Sequence, residues 1–539
     1  MHNEIRKRAS IKSVRFLALR ACGDGKLWSG LLVLVFGVSR AIYFAAGVRP
    51  DTTPIGTYLQ YIDPALLREH LWQSLFYLRE QPPGFNLYLG LVMKSAAHPE
   101  AVFFIIHLLM GLLLAFSLMA VMMRLNVANW LAFLLAALFA SSPITVLYEN
   151  WVFYEYPVMV SLTVAAWSLW RYIRVAKFRD ALLFFTSLTV VVSVRGVYHL
   201  SWFLLLAFAL MWVTRSHWKR GLWAAAVPTL LIVAFYAKNY VLFGDIIPGQ
   251  VYKKMNYVDM VQQQAPPETI ERLKHEGRIS RILEIPAIQT KTYLYAELVR
   301  QPAPTGIPLL DMSRKTTGAD NWNSAWTSKV ANFYYRDAQV VARECPGLLR
   351  KQVLINLRSY LLPATVAFPF DQTPSAKCLR PFLNWYERTS SGELFADSDS
   401  DSDDEPIAWL NVFLFPACLA GGLVLAVREF SPRGGWTGER RAQCATTLFL
   451  IFNIAYDSAA TILFASGDHN RYREEVAPLY VILLGLLLNA SWCRLRAWHG
   501  TLVSSGKSSN PRLAVLRASR ADPAPWHEER ELPRGSDST

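Results

Sequence analysis

The chain is patterned in long apolar runs separated by short polar turns. Ten runs stand out: Leu27 to Val48, Ala101 to Met123, Val127 to Leu147, Pro157 to Trp170, Ala181 to Val194, Ser201 to Val213, Leu222 to Asn239, Pro406 to Val427, Cys444 to Ser466 and Val476 to Trp492. A helix needs about 20 apolar residues to cross a bilayer, so these runs predict an all-α polytopic membrane protein with about ten transmembrane helices, the shorter ones with soft ends. Between residues 240 and 405 the apolar runs stop, and helical periodicity recurs in Glu268 to Leu283 and in Val330 to Leu361. That stretch is expected to be a mostly helical extracytoplasmic domain. No internal repeat is visible, which counts against a transporter built from two matching halves.

Basic residues set the orientation, because short cytosolic loops collect Lys and Arg. They cluster before the first run (Arg6, Lys7, Arg8, Lys12, Arg15, Arg20, Lys26) and after every second run: at Arg124, Arg171 to Arg179, Arg215 to Arg220, Arg428 to Arg441, and in the C-terminal tail. The resulting organisation is a cytosolic basic N-terminus over 1–26, a membrane module over 27–239 with a first outer loop at 49–100, the extracytoplasmic domain over 240–405, C-terminal transmembrane helices over 406–492, and a cytosolic basic tail over 493–539 that is expected to be disordered. The stretch before the first run and the run itself are both long for a cleaved signal peptide, so an uncleaved anchor is expected. Arg40, inside the first run, is expected to snorkel to the interface.

Composition agrees with this reading. Of 539 residues, 53% are hydrophobic and 18% charged, against roughly a quarter charged in soluble domains. The net charge of +14 follows the cytosolic side, so it records topology and gives no support to nucleic-acid binding. Six cysteines form no CxxC pair and no metal-ligand spacing, and no motif demands a metal or a cofactor. Cys345 and Cys378 are the two expected outside the cytosol and the bilayer; a disulfide between them and two free thiols are both compatible with an oxidising compartment. The acidic run Asp397 to Glu405 lacks the turn Gly and closing Glu of a calcium loop and reads as a solvated linker.

Candidate chemistry lies in the outer turns. Asp51 stands three residues beyond the first run, where a partly buried carboxylate can act as a general base or simply cap a helix. Tyr58, Asp63 and Gln81 follow in the first outer loop, and Pro82-Pro83 opens an apolar stretch too short to span, expected to lie along or partly enter the outer surface. The second outer turn, LYENWVFYEYP, supplies Glu149 and Glu155, suited to orient a sugar hydroxyl, to hold a basic partner or to be solvated. Arg195 and His199 sit at an outer edge in VRGVYH. Arg471 and Arg473, in GDHNRYREEVAPLY, are guanidiniums on the outer side, suited to phosphate oxygens or to pairing with Glu474 and Glu475 beside them.

The phrases QPPGFNLYLGLVMK, SPITVLYENWVFYEYP, FYAKNYVLFGD and HNRYREEVAPL, with an Asp soon after the first span, resemble the GT-C superfamily of membrane glycosyltransferases, and most nearly the bacterial proteins similar to protein O-mannosyltransferases and to the aminoarabinose transferase of lipid A. The resemblance runs from about Trp28 to Trp492. It implies transfer of a hexose or pentose from a polyprenyl-phosphate carrier to a lipid, glycan or protein acceptor on the outer face of a bacterial inner membrane, with no cofactor. It makes Asp51 the catalytic base, Arg471, Arg473, Arg195 and His199 the candidates for the carrier phosphate, and Tyr58, Asp63, Gln81, Glu149 and Glu155 the candidates for positioning substrate or acceptor. Where many relatives have an Asp-Glu pair or a basic residue before the Pro-Pro, this chain has Asp51-Thr52 and Gln81, so positive charge for the phosphate must come from elsewhere. A transporter or flippase for lipid-linked sugars, with Asp457 as its deep carboxylate, and a polymerase or ligase using diphosphate-linked glycans are the alternatives.

Overall fold

The structure, a computed structural model, describes residues 25–287, 295–362, 364, 373–391, 409–430, 437–467 and 469–507. The basic N-terminus up to 24, the acidic run 397–405 and the tail beyond 507 lie outside them. Each of the ten apolar runs falls on a helix or a helix pair: α1 (Gly25–Ala45), then, after the 13-residue α2 (Pro83–Ser95), α3 (Pro99–Arg124), α4 with α5 (Asn129–Ser141, Pro143–Asn150), α6 (Glu155–Val175), α7 (Phe178–Val194), α8 (Leu200–Val213) and α9 (Trp218–Phe243). The domain that follows is built on α10 (Gln250–Gln262), α11 (Ala325–Glu344), α12 (Leu348–Leu361) and α13 (Pro374–Ser391), and α14 (Trp409–Phe430), α15 (Gly438–Phe464) and α16 (Ala477–Lys507) complete the series. Residues up to Leu487 form one compact unit and those from Leu488 a second. Among the described residues there is no β-strand, only isolated bridges.

Among the described residues, six helical stretches are long and apolar enough to cross a bilayer: Gly25–Ala45, Pro99–Arg124, Arg215–Phe243, Leu410–Glu429, Gly438–Phe464 and His469–Arg496. The run Val127 to Leu147 is a pair bent by 54°. Its break is local chemistry: Pro143 has no N–H to continue α4, and the Ser142 hydroxyl accepts from Thr145 N at 3.2 Å to cap α5. The runs beginning at Pro157, Ala181 and Ser201 form shorter or more polar helices. α6 is buried along nearly its whole length against α3, α5, α7 and α15, so neighbouring side chains, rather than lipid, surround it. α1 and α14 are the opposite case, with only 22% and 17% of their apolar windows buried.

The stretch between α9 and α14 carries a core of its own. Val251, Val258, Leu273, Trp326, Val330, Tyr334, Val341 and Leu348 pack together apart from the main cluster. The periodic stretch Val330 to Leu361 is interrupted between α11 and α12, because Pro346 drives Cys345 out of helical geometry, to φ −126° and ψ 72°. Likewise Glu268 to Leu283 is a nine-residue helix, Pro267–His275, followed by a separate 3-10 turn.

One expectation is corrected, and two left open are decided. Arg40 does not snorkel: its guanidinium turns inward and grips Glu149 through two bonds, of 3.0 and 2.6 Å, while donating to the Ala140 carbonyl at 2.6 Å. Glu149 thus holds a basic partner, one of the readings open to it from the sequence; it also accepts from Tyr156 Oη at 2.9 Å, and a Cβ at Gly111 would collide with its carboxylate. The cysteines do not pair. Cys345 ends α11 with its Sγ 3.9 Å from the Thr269 hydroxyl, whereas Cys378, on α13, donates to the Ser375 carbonyl and abuts Gly47, and both are free thiols.

Removing one member of a buried ion pair strands the other charge, which costs about 3–5 kcal/mol, whereas replacing both by apolar residues is far less damaging. Arg40→Met and Glu149→Leu are each expected to lower unfolding stability in detergent by that amount, and the double variant to recover most of it. Independent, additive losses in a thermal or denaturant titration would show that the pair does not hold α1 in place.

Candidate functional site

Asp51 lies where α1 gives way to extended chain. Its backbone bridges to the second outer turn, with Asp51 N donating to Asn150 O at 2.6 Å and Val152 N donating to Asp51 O at 2.9 Å. The half-buried carboxylate accepts from Thr53 N at 2.9 Å, opening the short helix Thr53–Thr57. It makes no ion pair among the described residues. Behind the bridge, Trp151 stacks on Phe153 at 4.1 Å, and Phe153 lies edge-on to Tyr58.

These rings roof a cluster of buried charges. Arg195 places Nε 2.7 Å from Glu475 and donates from Nη1 to Tyr154 Oη at 2.8 Å. Arg471 stands 3.4 Å from Glu155 and faces the rings of Phe153 and Tyr472. Tyr58 Oη is 2.8 Å from Tyr154 Oη, and Tyr472 Oη is 2.6 Å from Tyr252 Oη. Arg473 points away from this cluster: it donates to the carbonyls of Tyr360 and Leu362 at 2.6 and 2.9 Å and lies 3.4 Å from Glu474. The two guanidiniums of the NRYR turn are thus consumed, Arg473 by the end of α12 and Arg471 in part by Glu155. Glu155 holds a basic partner, one of the readings open to it from the sequence.

Asp63 and Gln81 are each held by hydrogen bonds to other parts of the chain. Asp63 caps the helix Pro64–Glu69 and accepts from the Thr316 backbone and hydroxyl, clipping a loop of the outer domain onto the first outer loop. Lys315 beside it is buried, donates to the Tyr58 carbonyl, and is pushed by burial down to about 7. Gln81 is held in a chain, donating to Gln60 at 2.8 Å and accepting from Asn86 at 3.3 Å.

A cavity of about 830 Å³ opens next to this cluster. Its polar end is formed by Glu80, Gln81, Arg195, His199 and Lys253, and its apolar arm by Ala459, Ala460, Leu463 and Phe464 at the end of α15 with Leu349 and Val353 of α12. Asp51, Arg471 and Arg473 are not among its lining residues. His199 is not a cation: burial first, and then the Lys253 ammonium 3.5 Å away, hold its ring down at about 4. Burial lowers Lys253 too, to about 8, which leaves it mostly protonated at neutral pH. Sequence reasoning missed Lys253 and Glu80. Lys253-Lys254, a basic pair on the outer side against the positive-inside trend, was the available signal.

Glu80 joins the membrane side of the cavity to the outer domain. Its Oε2 accepts from Val251 N and Tyr252 N at 2.9 and 3.2 Å, capping α10 from outside, while the Arg79 carbonyl accepts from Gly249 N and the Arg79 guanidinium pairs with Asp245 at 2.8 Å. Gly249 has φ +77°, and a Cβ there would come within 3.2 Å of the Glu80 carbonyl. Among the described residues no three His, Cys, Asp or Glu side chains converge to hold a metal ion. Comparison with family models, with curated proteins and with solved structures returned no match.

Burial pushes the Glu80 carboxyl up to about 7, against the opposing pull of Arg79. A folded-state value above the ordinary 4.5 means stability that is fully present below about pH 4.5 and lost as pH rises through about 7. Measured against Glu80→Gln, the unfolding free energy of the native chain is expected to fall by about 3 kcal/mol across that window. Parallel pH curves for the two proteins would show that Glu80 ionises normally.

Proposed function

We propose that this protein is a multi-pass membrane glycosyltransferase that moves a sugar from a polyprenyl-phosphate carrier to an acceptor hydroxyl on the outer face of a bacterial inner membrane. In this reading about ten helical segments form the membrane module, α2 lies along the outer surface, and both termini are cytosolic. The observation that carries it is the cavity: one end is polar and cationic, the other apolar and lined by α15, which suits a molecule with a phosphate-sugar head and a hydrocarbon tail. The resemblance of QPPGFNLYLGLVMK and HNRYREEVAPL to the GT-C superfamily supports the same chemistry.

The acceptor oxygen attacks the anomeric carbon, the bond from that carbon to the carrier phosphate oxygen breaks with inversion, and its electron pair stays on the phosphate. The resemblance gives the acceptor proton to Asp51, which does not line the cavity, so the acceptor hydroxyl has to lie between Asp51 and the donor sugar. Negative charge building on the phosphate is met by Lys253, with Arg195 behind it, since preorganised charge is worth most where water is excluded. A transport path needs ionisable groups deep in several helices; the deep carboxylate Asp457 instead accepts from Tyr198 at 3.3 Å, two turns from the end of α15, which borders the cavity.

The test offers purified protein a polyprenyl-monophosphate sugar and, separately, a polyprenyl-diphosphate glycan. Product from the monophosphate alone is expected; product from the diphosphate alone indicates a polymerase or ligase, and none from either favours transport. Asp51→Asn is expected to lower turnover by about 10²–10⁴-fold at unchanged expression, and wild-type turnover in that variant overturns the assignment. Lys253→Met is expected to slow transfer by about tenfold or more, by removing one charge-assisted contact to the phosphate.

A further inference from the structure

The helix α12 has its two sides exchanged. Gln352, Asn356 and Tyr360 are buried, one turn apart, while Leu354, Ile355 and Leu357 turn away from them with exposures of 63%, 42% and 42%. A helix on a water-exposed domain does the reverse and turns its apolar stripe inward. The buried side is taken up by polar groups of the protein. Gln352 accepts from Gln264 at 2.9 Å and donates to Gln263 and Asn356 at 3.0 Å, and Asn356 donates to the carbonyls of Ile462 and Ala465 at 2.9 and 3.0 Å, at the end of α15. On the same side, Leu349 and Val353 line the apolar arm of the cavity.

The depth of α12 follows from α15, which is long and apolar enough to cross a bilayer. Glu439, Arg440 and Arg441 keep the first turn of α15 out of hydrocarbon, and from Cys444 to Phe464 the helix rises about 30 Å, the thickness of a bilayer core. Its far end is apolar and open, with Leu463 45% and Phe464 72% exposed. α12 runs back down beside that end. Asn356 meets Ile462 and Ala465, and one turn on the Tyr360 hydroxyl is 2.7 Å from that of Ser458, about 9 Å below Phe464 at 1.5 Å per residue. The aliphatic side of α12 thus lies at the depth of the last turns of a membrane-crossing helix.

We propose that α12 is embedded in the outer leaflet, its aliphatic side in the acyl chains, and that it forms the wall between the bilayer and the apolar arm of the cavity. Helices of this kind bury such a side about 5–10 Å into the boundary between headgroups and acyl chains and carry Lys or Arg beside it. α12 has Arg350 and Lys351 in its first turn and no acidic residue; both are exposed, neither makes an ion pair among the described residues, and lipid phosphates supply the opposite charge. Arg358, beside Leu357, is also exposed and is long enough to raise its guanidinium to that level. Single exposed aliphatic residues are ordinary on any surface, but three on one side of a helix that buries amides on the other are not. This placement requires only that α15 crosses a bilayer, and it holds whether or not the cavity takes a sugar donor.

The test places the full chain in phospholipid nanodiscs with p-benzoylphenylalanine replacing Leu354, Leu357 or, as a control, Glu276 of the exposed ion-pair network with Arg272 and Arg278. After irradiation, mass spectrometry is expected to find phospholipid adducts at the two α12 sites and several-fold fewer at the control site. Lipid adducts on α12 no more frequent than at the control site overturn the proposal. So do adducts from α12 to another part of this chain or to a second copy of it, which make the aliphatic side a protein contact.

Discussion

Burying charge near a bilayer is expensive unless each charge meets its opposite, and the outer end of this protein is arranged by that constraint. Arg40 of α1 meets Glu149 of α5, 109 residues away; Arg471 meets Glu155 at the start of α6; Arg195, after α7, meets Glu475. The three pairs bind the first helix, the second outer turn, the edge between α7 and α8 and the final outer turn into one body. Tyrosines fill the space between them and accept or donate where the guanidiniums leave a gap, as Tyr154 does for Arg195 and Tyr156 for Glu149.

That arrangement decides where a free charge is left over. Arg195 lines the cavity and Arg471 stands under its aromatic roof, yet each is answered by a carboxylate, Arg473 is spent on the carbonyls at the end of α12, and His199 is held neutral. The balance shifts to Lys253, carried on α10. Its place depends on the Arg79-Glu80 clasp, which caps α10 and fixes its first turn against the first outer loop. The outer domain therefore contributes a cavity wall and a charge, and the electrostatics of the site are shared by two parts of the chain that are far apart in sequence.

Features governed by near neighbours were legible in the sequence. The ten apolar runs fall on helices and the Pro-Pro segment opens the short helix α2, whereas the run Val127 to Leu147, read as unbroken, is bent at Ser142-Pro143. Pairings between distant segments were not legible. Nothing near Arg40 in sequence says that a glutamate will arrive beside it, and the adjacency of Arg473 to Glu474 and Glu475 suggested both as partners when Glu475 in fact answers Arg195. Asp63 reads as a site residue because it lies in an outer loop, but its partner Thr316 is 253 residues away. Lys253 was overlooked because a Lys-Lys pair on an amphipathic helix usually faces water; here Tyr252 and the α10 cap turn Lys253 toward the cavity.

The same distinction explains why length and apolarity do not single out every helix of the bundle. Those are requirements set by lipid, and they bear on helices such as α1 and α14 whose apolar surface is mostly left uncovered by protein. α6 is enclosed by α3, α5, α7 and α15, so its polar atoms are answered by protein: Thr163 and Ser168 bond back to their own helix, Arg171 pairs with Asp180, and Glu155 with Arg471. An enclosed helix is free to be shorter and to carry charge at both ends. Both ends of α6 are polar, Glu155 meeting Arg471 in the charge cluster at one and Arg171 meeting Asp180 at the other, while the length between them is packed against protein.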